Sequence, residues 1–211
     1  MRSRNLLEKW FAISLAKNSQ RGLILRIVAG KHRGRPLIAP PGPDIRPTSD
    51  RAREGLFNIL EYGRSSIGLD DTRVLDAFAG TGALGLEALS RGVRHATFIE
   101  KARAAQHTIA KNIAACSEVN RATIINADAT NPPPTDRPVD IAFVDPPYAA
   151  RLIEPALIAL NRRGWFHNET LVVAEMGTNE TVTLPKFLEE VDRRKYGAAL
   201  ILFLLCRGRA D

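Results

Sequence analysis

The sequence predicts an α/β fold, a mostly parallel Rossmann-like sheet covered by helices on both faces. Three observations predict it. From residue 73 onward, short apolar runs alternate with longer segments of helical spacing, the pattern of βαβ crossovers. The first run leads into Gly80-x-Gly82-x-x-Gly85, a tight turn that opens a helix. Acids then stand at the ends of three consecutive runs, Asp76, Glu100 and Asp128, on the rim where open α/β sheets bind ligands.

In chain order, Arg26–Ala39 reads as a β-hairpin around a Gly/Arg turn, and Pro40–Pro43 as a loop. Ser49 or Asp50 can cap a helix carrying Ala52, Leu56, Phe57, Ile59 and Leu60. Residues 63–71 connect it to the sheet. Strands are expected at Arg73–Phe78, Ala96–Glu100, Ala122–Asn126, Val139–Val144, Leu171–Glu175 and Ala198–Leu205. Helices are expected at Ala83–Arg91, Ala102–Cys116 and Arg151–Arg162. Val191–Tyr196 pairs with the last strand as a terminal antiparallel hairpin, and Pro132–Pro134 is a loop.

The length, 211 residues, fits one domain or one domain with a small appendage. With 45% apolar and 25% charged residues, wholesale disorder is excluded. Cys116 and Cys206 show no metal-ligand or redox spacing, which argues against a disulfide framework or a zinc site and fits a reducing cytoplasm. The longest apolar run, Ala198–Cys206, is far too short for a transmembrane helix.

The net charge of +7 is uneven: residues 1–64 carry 13 Lys/Arg against 5 Asp/Glu, and residues 65–211 carry 17 against 18. A neutral body with a basic N-terminal part suggests a polyanion contact made by that part.

The acids choose among ligands for the glycine loop. A carboxylate at Asp76 would repel a pyrophosphate but suits the sulfonium and ammonium of S-adenosylmethionine. Glu100, ending the next strand, can accept hydrogen bonds from both ribose hydroxyls. Asp128 can accept from the adenine amino group.

The fourth strand ends in Asp145-Pro146-Pro147-Tyr148. Its two prolines remove two N–H donors and restrict the backbone. The Asp145 carboxylate and the Pro146 carbonyl then form two fixed acceptors, which match the two N–H donors of an exocyclic amine on a base. Gripping both aims the nitrogen lone pair at a sulfonium methyl. Tyr148 offers a ring for the base to stack on.

The Asp-Pro-Pro-Tyr element and the Asp76–Gly82 loop resemble those of the amino-methylating class I methyltransferases. Together with Leu25–Arg35, Arg46–Asn58 and Asp76–Gly92, they resemble the bacterial small-subunit ribosomal RNA guanine-N2 methyltransferase family over roughly residues 25–207. The resemblance implies a seven-stranded class I methyltransferase sheet over residues 65–211, with a basic N-terminal hairpin and helix at 25–64 that contacts RNA. It implies S-adenosylmethionine as methyl donor and 16S ribosomal RNA, free or in the assembling small subunit, as partner. No metal and no membrane are expected from the residues, and the protein is expected to act as a cytoplasmic monomer. Asp145, Pro146, Pro147 and Tyr148 become the catalytic element. Asp76, Phe78, Gly80, Gly82, Glu100, Asp128 and Ala129 become the cofactor contacts, and Arg33, Arg35, Arg46, Arg51 and Arg53 the RNA contacts. Arg46, Thr48 and Asp50 belong to an element that closes over the site. Family members begin at Met-Arg-Ile, which aligns with Leu25-Arg26-Ile27, so residues 1–24 read as a poorly ordered extension or a mis-assigned start.

Alternatives stay open. DNA adenine-N6 methyltransferases share the Asp-Pro-Pro-Tyr element, although little chain is left here for a target-recognition domain. Glutamine-N5 methylation usually goes with Asn, not Asp, at position 145. An NAD-type oxidoreductase sits poorly with Asp76, and an inactive RNA-binding module sits poorly with intact Asp145 and Glu100. His32, His95, His107 and His167 read as surface or loop residues, Trp165 and Phe166 as packing, and Arg193–Lys195 as a solvated strand edge.

Overall fold

A computed structural model of the protein describes residues 25–39, 50–63, 68–147 and 150–208. The readings made for residues 1–24, for Arg46 and Thr48, and for Tyr148 lie outside these residues.

The elements are α1 (Asp50–Tyr62), β1 (Arg73–Ala77), α2 (Ala83–Ser90), β2 (His95–Glu100), α3 (Arg103–Ala115), β3 (Ala122–Asn126), β4 (Val139–Val144), α4 (Ile153–Arg162), β5 (Phe166–Gly177), β6 (Leu188–Tyr196) and β7 (Ala199–Cys206). The seven strands lie in the order β3-β2-β1-β4-β5-β7-β6. β1 through β5 pair in parallel, while β7 runs antiparallel to both β5 and β6. The order reverses between β1 and β4, the switch point at which open α/β sheets bind ligands.

Alternate residues of each strand feed two cores. Val74, Phe98, Ile141, Phe143 and Val173 face α1, α2, α3 and the N-terminal segment. Leu75, Ile99, Ala142, Val144 and Val172 face α4, Trp165 and Phe187. Each fully buried large side chain contributes about 1.5–3 kcal/mol. Leu56, Phe57 and Leu60 seat α1 against the first core, with the Phe57 ring 5.5 Å from that of Phe143.

Residues 25–39 form a short antiparallel hairpin around a 3-10 turn, Gly30–His32, with one bridge, Arg26 to Pro36, flanked by bonds from Ile27 N–H to the Arg35 carbonyl and from Leu37 N–H to the Leu25 carbonyl. Helix side chains hold this strap: Glu87 accepts the N–H groups of Val28 and Ala29, and the Asn112 side chain bonds both backbone groups of Ile38. β5 begins at Phe166, five residues before the expected start. Phe166 pairs with Val139, and the register then shifts before Leu171. The polar His167-Asn-Glu169 stretch, with Glu169 at φ 80°, interrupts the apolar pattern without ending the strand.

Trp165 and Phe166 are buried as packing residues, Trp165 donating to the Pro133 carbonyl. Arg193–Lys195 lie on the edge strand β6. Among the described residues no helix is long and apolar enough to cross a membrane.

Candidate active site

At the carboxyl end of β1 the chain turns through Phe78 (φ 63°), Gly80 (φ 54°) and Gly82 (φ 75°). Left-handed backbone is costly for residues with a Cβ, which accounts for the glycines. Gly82 opens α2. Gly85 has another reason: a Cβ there would come within 2.3 Å of the Phe98 ring, so its absence lets α2 lie close on β2.

Asp76 is buried, and its Oδ2 accepts the N–H of Gly85 at 2.9 Å, at the positive end of α2. Burial pushes its carboxyl up to about 7; the Gly85 bond opposes this and the Glu100 charge adds to it. Glu100 holds the loop from the other side, accepting from Gly80 N–H at 2.9 Å and from Ala102 N–H at 2.7 Å.

A cavity of about 680 Å³ opens above these strand ends. Asp76, Phe78, Gly80, Glu100 and Ala129 line it on the β1–β3 side, and Asp145, Pro146 and Pro147 on the β4 side. The expected cofactor and chemistry motifs thus share one space, of the size that takes a small-molecule ligand. Gly82 shapes the turn instead of lining the cavity. Asp128 is held beside the cavity: its Oδ1 accepts from the backbone and side chain of Thr130, its Oδ2 pairs with Lys101 at 3.0 Å, and these bonds keep its carboxyl below the usual range. Its neighbours Ala127 and Ala129 reach the cavity instead.

Asp145 is half-buried, and its carboxyl lies well above the usual range. Desolvation is the largest cause, followed by the charges of Glu175 and Asp76. Glu175, two residues before the end of β5, also lines the cavity, a role the sequence reading missed. The signal was available: like Asp76, Glu175 is a charged residue close to the end of a buried strand.

The roof is formed by Leu25 and Arg53. Here an expectation fails. Arg53 is only 1% exposed; it donates to Asp50 at 2.8 Å and to the Arg26 carbonyl at 2.6 Å, and lies 3.7 Å from Glu87. It is therefore a buried bracket between strap and helix and is not available to an RNA backbone. Asp50, expected in a closing element, binds Arg26 and Arg53 and fixes the same corner. Arg33, Arg35 and Arg51 are exposed as expected, with Arg35 also donating to the Ala115 carbonyl. His32 is not a plain loop residue: together with Lys31 and Arg121 it contacts buried Glu118. Burial alone would raise Glu118, but hydrogen bonds from these three outweigh it and lower its carboxyl.

The strap docks beside the C-terminal half of α3, whose exposed face carries Arg103, His107 and Lys111 at four-residue steps. No acid occurs in this helix. This face leads from the end of the helix next to the cavity-lining Glu100 and Lys101 toward Arg35, which bonds the Ala115 carbonyl at the other end.

A glycine turn, buried acid and Asp-Pro-Pro strand end, gathered at the switch point of this sheet, define a Rossmann-like methyltransferase. A family model described as "Conserved hypothetical protein 95" matches residues 25–205. Ribosomal RNA small subunit methyltransferase D of Escherichia coli is 42% identical over 152 residues, covering 72% of this chain and 74% of that protein. The Haemophilus influenzae protein of the same name is 33% identical over 168 residues, covering 77% and 83%. The solved structure of Escherichia coli yhhF superposes with a TM-score of 0.72 at 35% identity, covering 88% of this chain and 99% of that one. The chain belongs to the ribosomal RNA small subunit methyltransferase D family, and it is a methyltransferase.

Proposed function

We propose that this protein transfers the methyl group of S-adenosylmethionine to the exocyclic N2 of a guanine in 16S ribosomal RNA. The observation that carries this reading is the placement of Asp145 and Pro146 in the same cavity as Asp76 and Glu100. S-adenosylmethionine supplies an electrophilic methyl on a positively charged sulfur. Asp76 and Glu100 provide negative charge and ribose acceptors on the β1–β2 side. Asp145 and the Pro146 carbonyl hold the two N2 hydrogens and so aim the nitrogen lone pair. The N–C bond forms as the C–S bond breaks, and the proton lost from nitrogen passes to Asp145 or to water. The elevated Asp145 carboxyl suits it to receive that proton. The target base leaves its stack to enter the cavity, which is cheapest from an unpaired loop. Arg33, Arg35 and Arg51 grip the neighbouring phosphates.

The test is methyl transfer from radiolabelled S-adenosylmethionine to purified RNA, DNA and protein, followed by digestion. N2-methylguanosine from 16S RNA is the expected product; N6-methyladenine in DNA, or label in protein, would overturn the reading. Asp145→Ala is expected to abolish transfer while S-adenosylmethionine binding persists.

A further inference from the structure

Asp145 follows Val144 at the end of β4, and Glu175 follows Ala174 in β5; Val144 and Ala174 are register partners. Two adjacent parallel strands, about 5 Å apart, therefore present two carboxylates side by side to one cavity. Glu175 is only 8% exposed. Neighbouring carboxylates with little access to water repel each other, and the arrangement suits a ligand that brings several hydrogen-bond donors in a row.

The bases differ sharply in this respect. Guanine carries N1–H directly beside its N2 amine, three N–H bonds along one edge. Adenine and cytosine place a bare, accepting ring nitrogen beside the amine. Uracil has one N–H between two carbonyls. An enzyme that takes a base out of its stack reads that same edge.

We propose that Glu175 is the residue that selects guanine: it accepts N1–H while Asp145 and the Pro146 carbonyl hold N2. Its carboxylate faces the bare N1 of adenine as acceptor against acceptor and rejects it. The proposal rests on the guanine-N2 reading above and adds the group that sets base choice.

The experiment uses the full-length protein and a synthetic RNA of the mapped target loop, carrying guanine or 2-aminopurine at the target. 2-Aminopurine keeps the same amine but has no N1–H. The wild-type protein is expected to favour guanine by about tenfold to a hundredfold, the net worth of one hydrogen bond to a charged group. In Glu175→Gln, whose amide can donate to a bare N1, the ratio should collapse toward one. Should Glu175→Gln transfer nothing, its equilibrium binding of the two RNAs reads the same ratio. A wild-type protein indifferent to the exchange, or a Glu175→Gln variant that keeps the wild-type ratio, overturns the proposal while N2-methylguanosine remains the product. Methyl found on another base overturns the underlying reading and the proposal with it.

Discussion

Asp76 accepts the backbone N–H of Gly85 through Oδ2 at 2.9 Å, tying the end of β1 to the first turn of α2. That single bond does not offset the burial of the carboxyl, which titrates at about 7. A cation bound beside Asp76 favours its ionised form, so binding of S-adenosylmethionine should release a proton below pH 7. Affinity should strengthen as pH rises from about 6 and level off above about 7. Calorimetry in buffers of different ionisation enthalpy reads the proton directly. Asp76→Asn should bind more weakly and without this pH dependence; equal wild-type affinity at pH 6 and pH 8 would contradict the assignment.

The same group has a stability consequence. Its pKa is raised on folding, so its stabilising contribution is complete below the unfolded value near 4 and is lost as pH rises through about 7. Denaturant unfolding without cofactor should therefore show Asp76→Asn gaining on wild type between pH 5 and pH 8. A constant difference across that window would mean the carboxyl is not elevated.

Asp145 is held high by burial first, then by Glu175 and Asp76. A protonated Asp145 is a poorer acceptor for the amine, so single-turnover methylation should rise with pH. Glu175→Gln removes one negative neighbour and should move that rising limb to lower pH, whatever it does to the plateau. A limb that stays in place would show that the Glu175 charge does not tune Asp145.

Glu87 shows how the strap depends on one buried carboxylate. It accepts from Val28 N–H at 2.7 Å, Ala29 N–H at 2.9 Å and Arg91 Nε at 2.9 Å. Glu87→Ala leaves these donors without their acceptor inside the core and should cost about 3–5 kcal/mol in denaturant unfolding. Hydrogen exchange should locate the damage at the Val28 and Ala29 amides. Because Leu25 of this strap and Arg53, which bonds the strap's Arg26 carbonyl, both line the cavity, cofactor binding should weaken as well. Unchanged exchange at those two amides would sink the account.

The strand ends were readable because a charged residue closing an apolar run has few structural explanations; Asp76, Glu100 and Asp145 all announce themselves that way. Glu87 does not. It stands within Leu84-Gly-Leu-Glu-Ala-Leu89, where an acid reads as the wet side of a helix, and its backbone partners lie 58 and 59 positions away. Arg53 was misread because charge was weighed before position. With Leu56, Phe57 and Leu60 it forms an i, i+3, i+4, i+7 set, which is a buried stripe. β5 was cut short because its polar interruption looks like a boundary until the pairing of Phe166 with Val139 is known.

The surface of α3 makes the last prediction. A helix face that serves only solubility mixes both signs, since acid–base pairs four residues apart support the helix. α3 instead carries Arg103, His107 and Lys111 on one face and has no acid in its own sequence, the three lying about 6 Å apart along the axis. That row lies between the strap arginines and the cavity, where an RNA strand leading into the site would run. Each phosphate neutralised on a single strand adds about 0.7 to the slope of log affinity against log salt. Replacing Arg103 and Lys111 by alanine should therefore flatten the slope by about 1.4, as should replacing Arg33 and Arg35, while affinity for S-adenosylmethionine stays constant. If only the strap pair changes the slope, the RNA leaves the site without crossing α3. If neither does, the basic N-terminal part is not the RNA grip and the charge asymmetry of the chain has another cause.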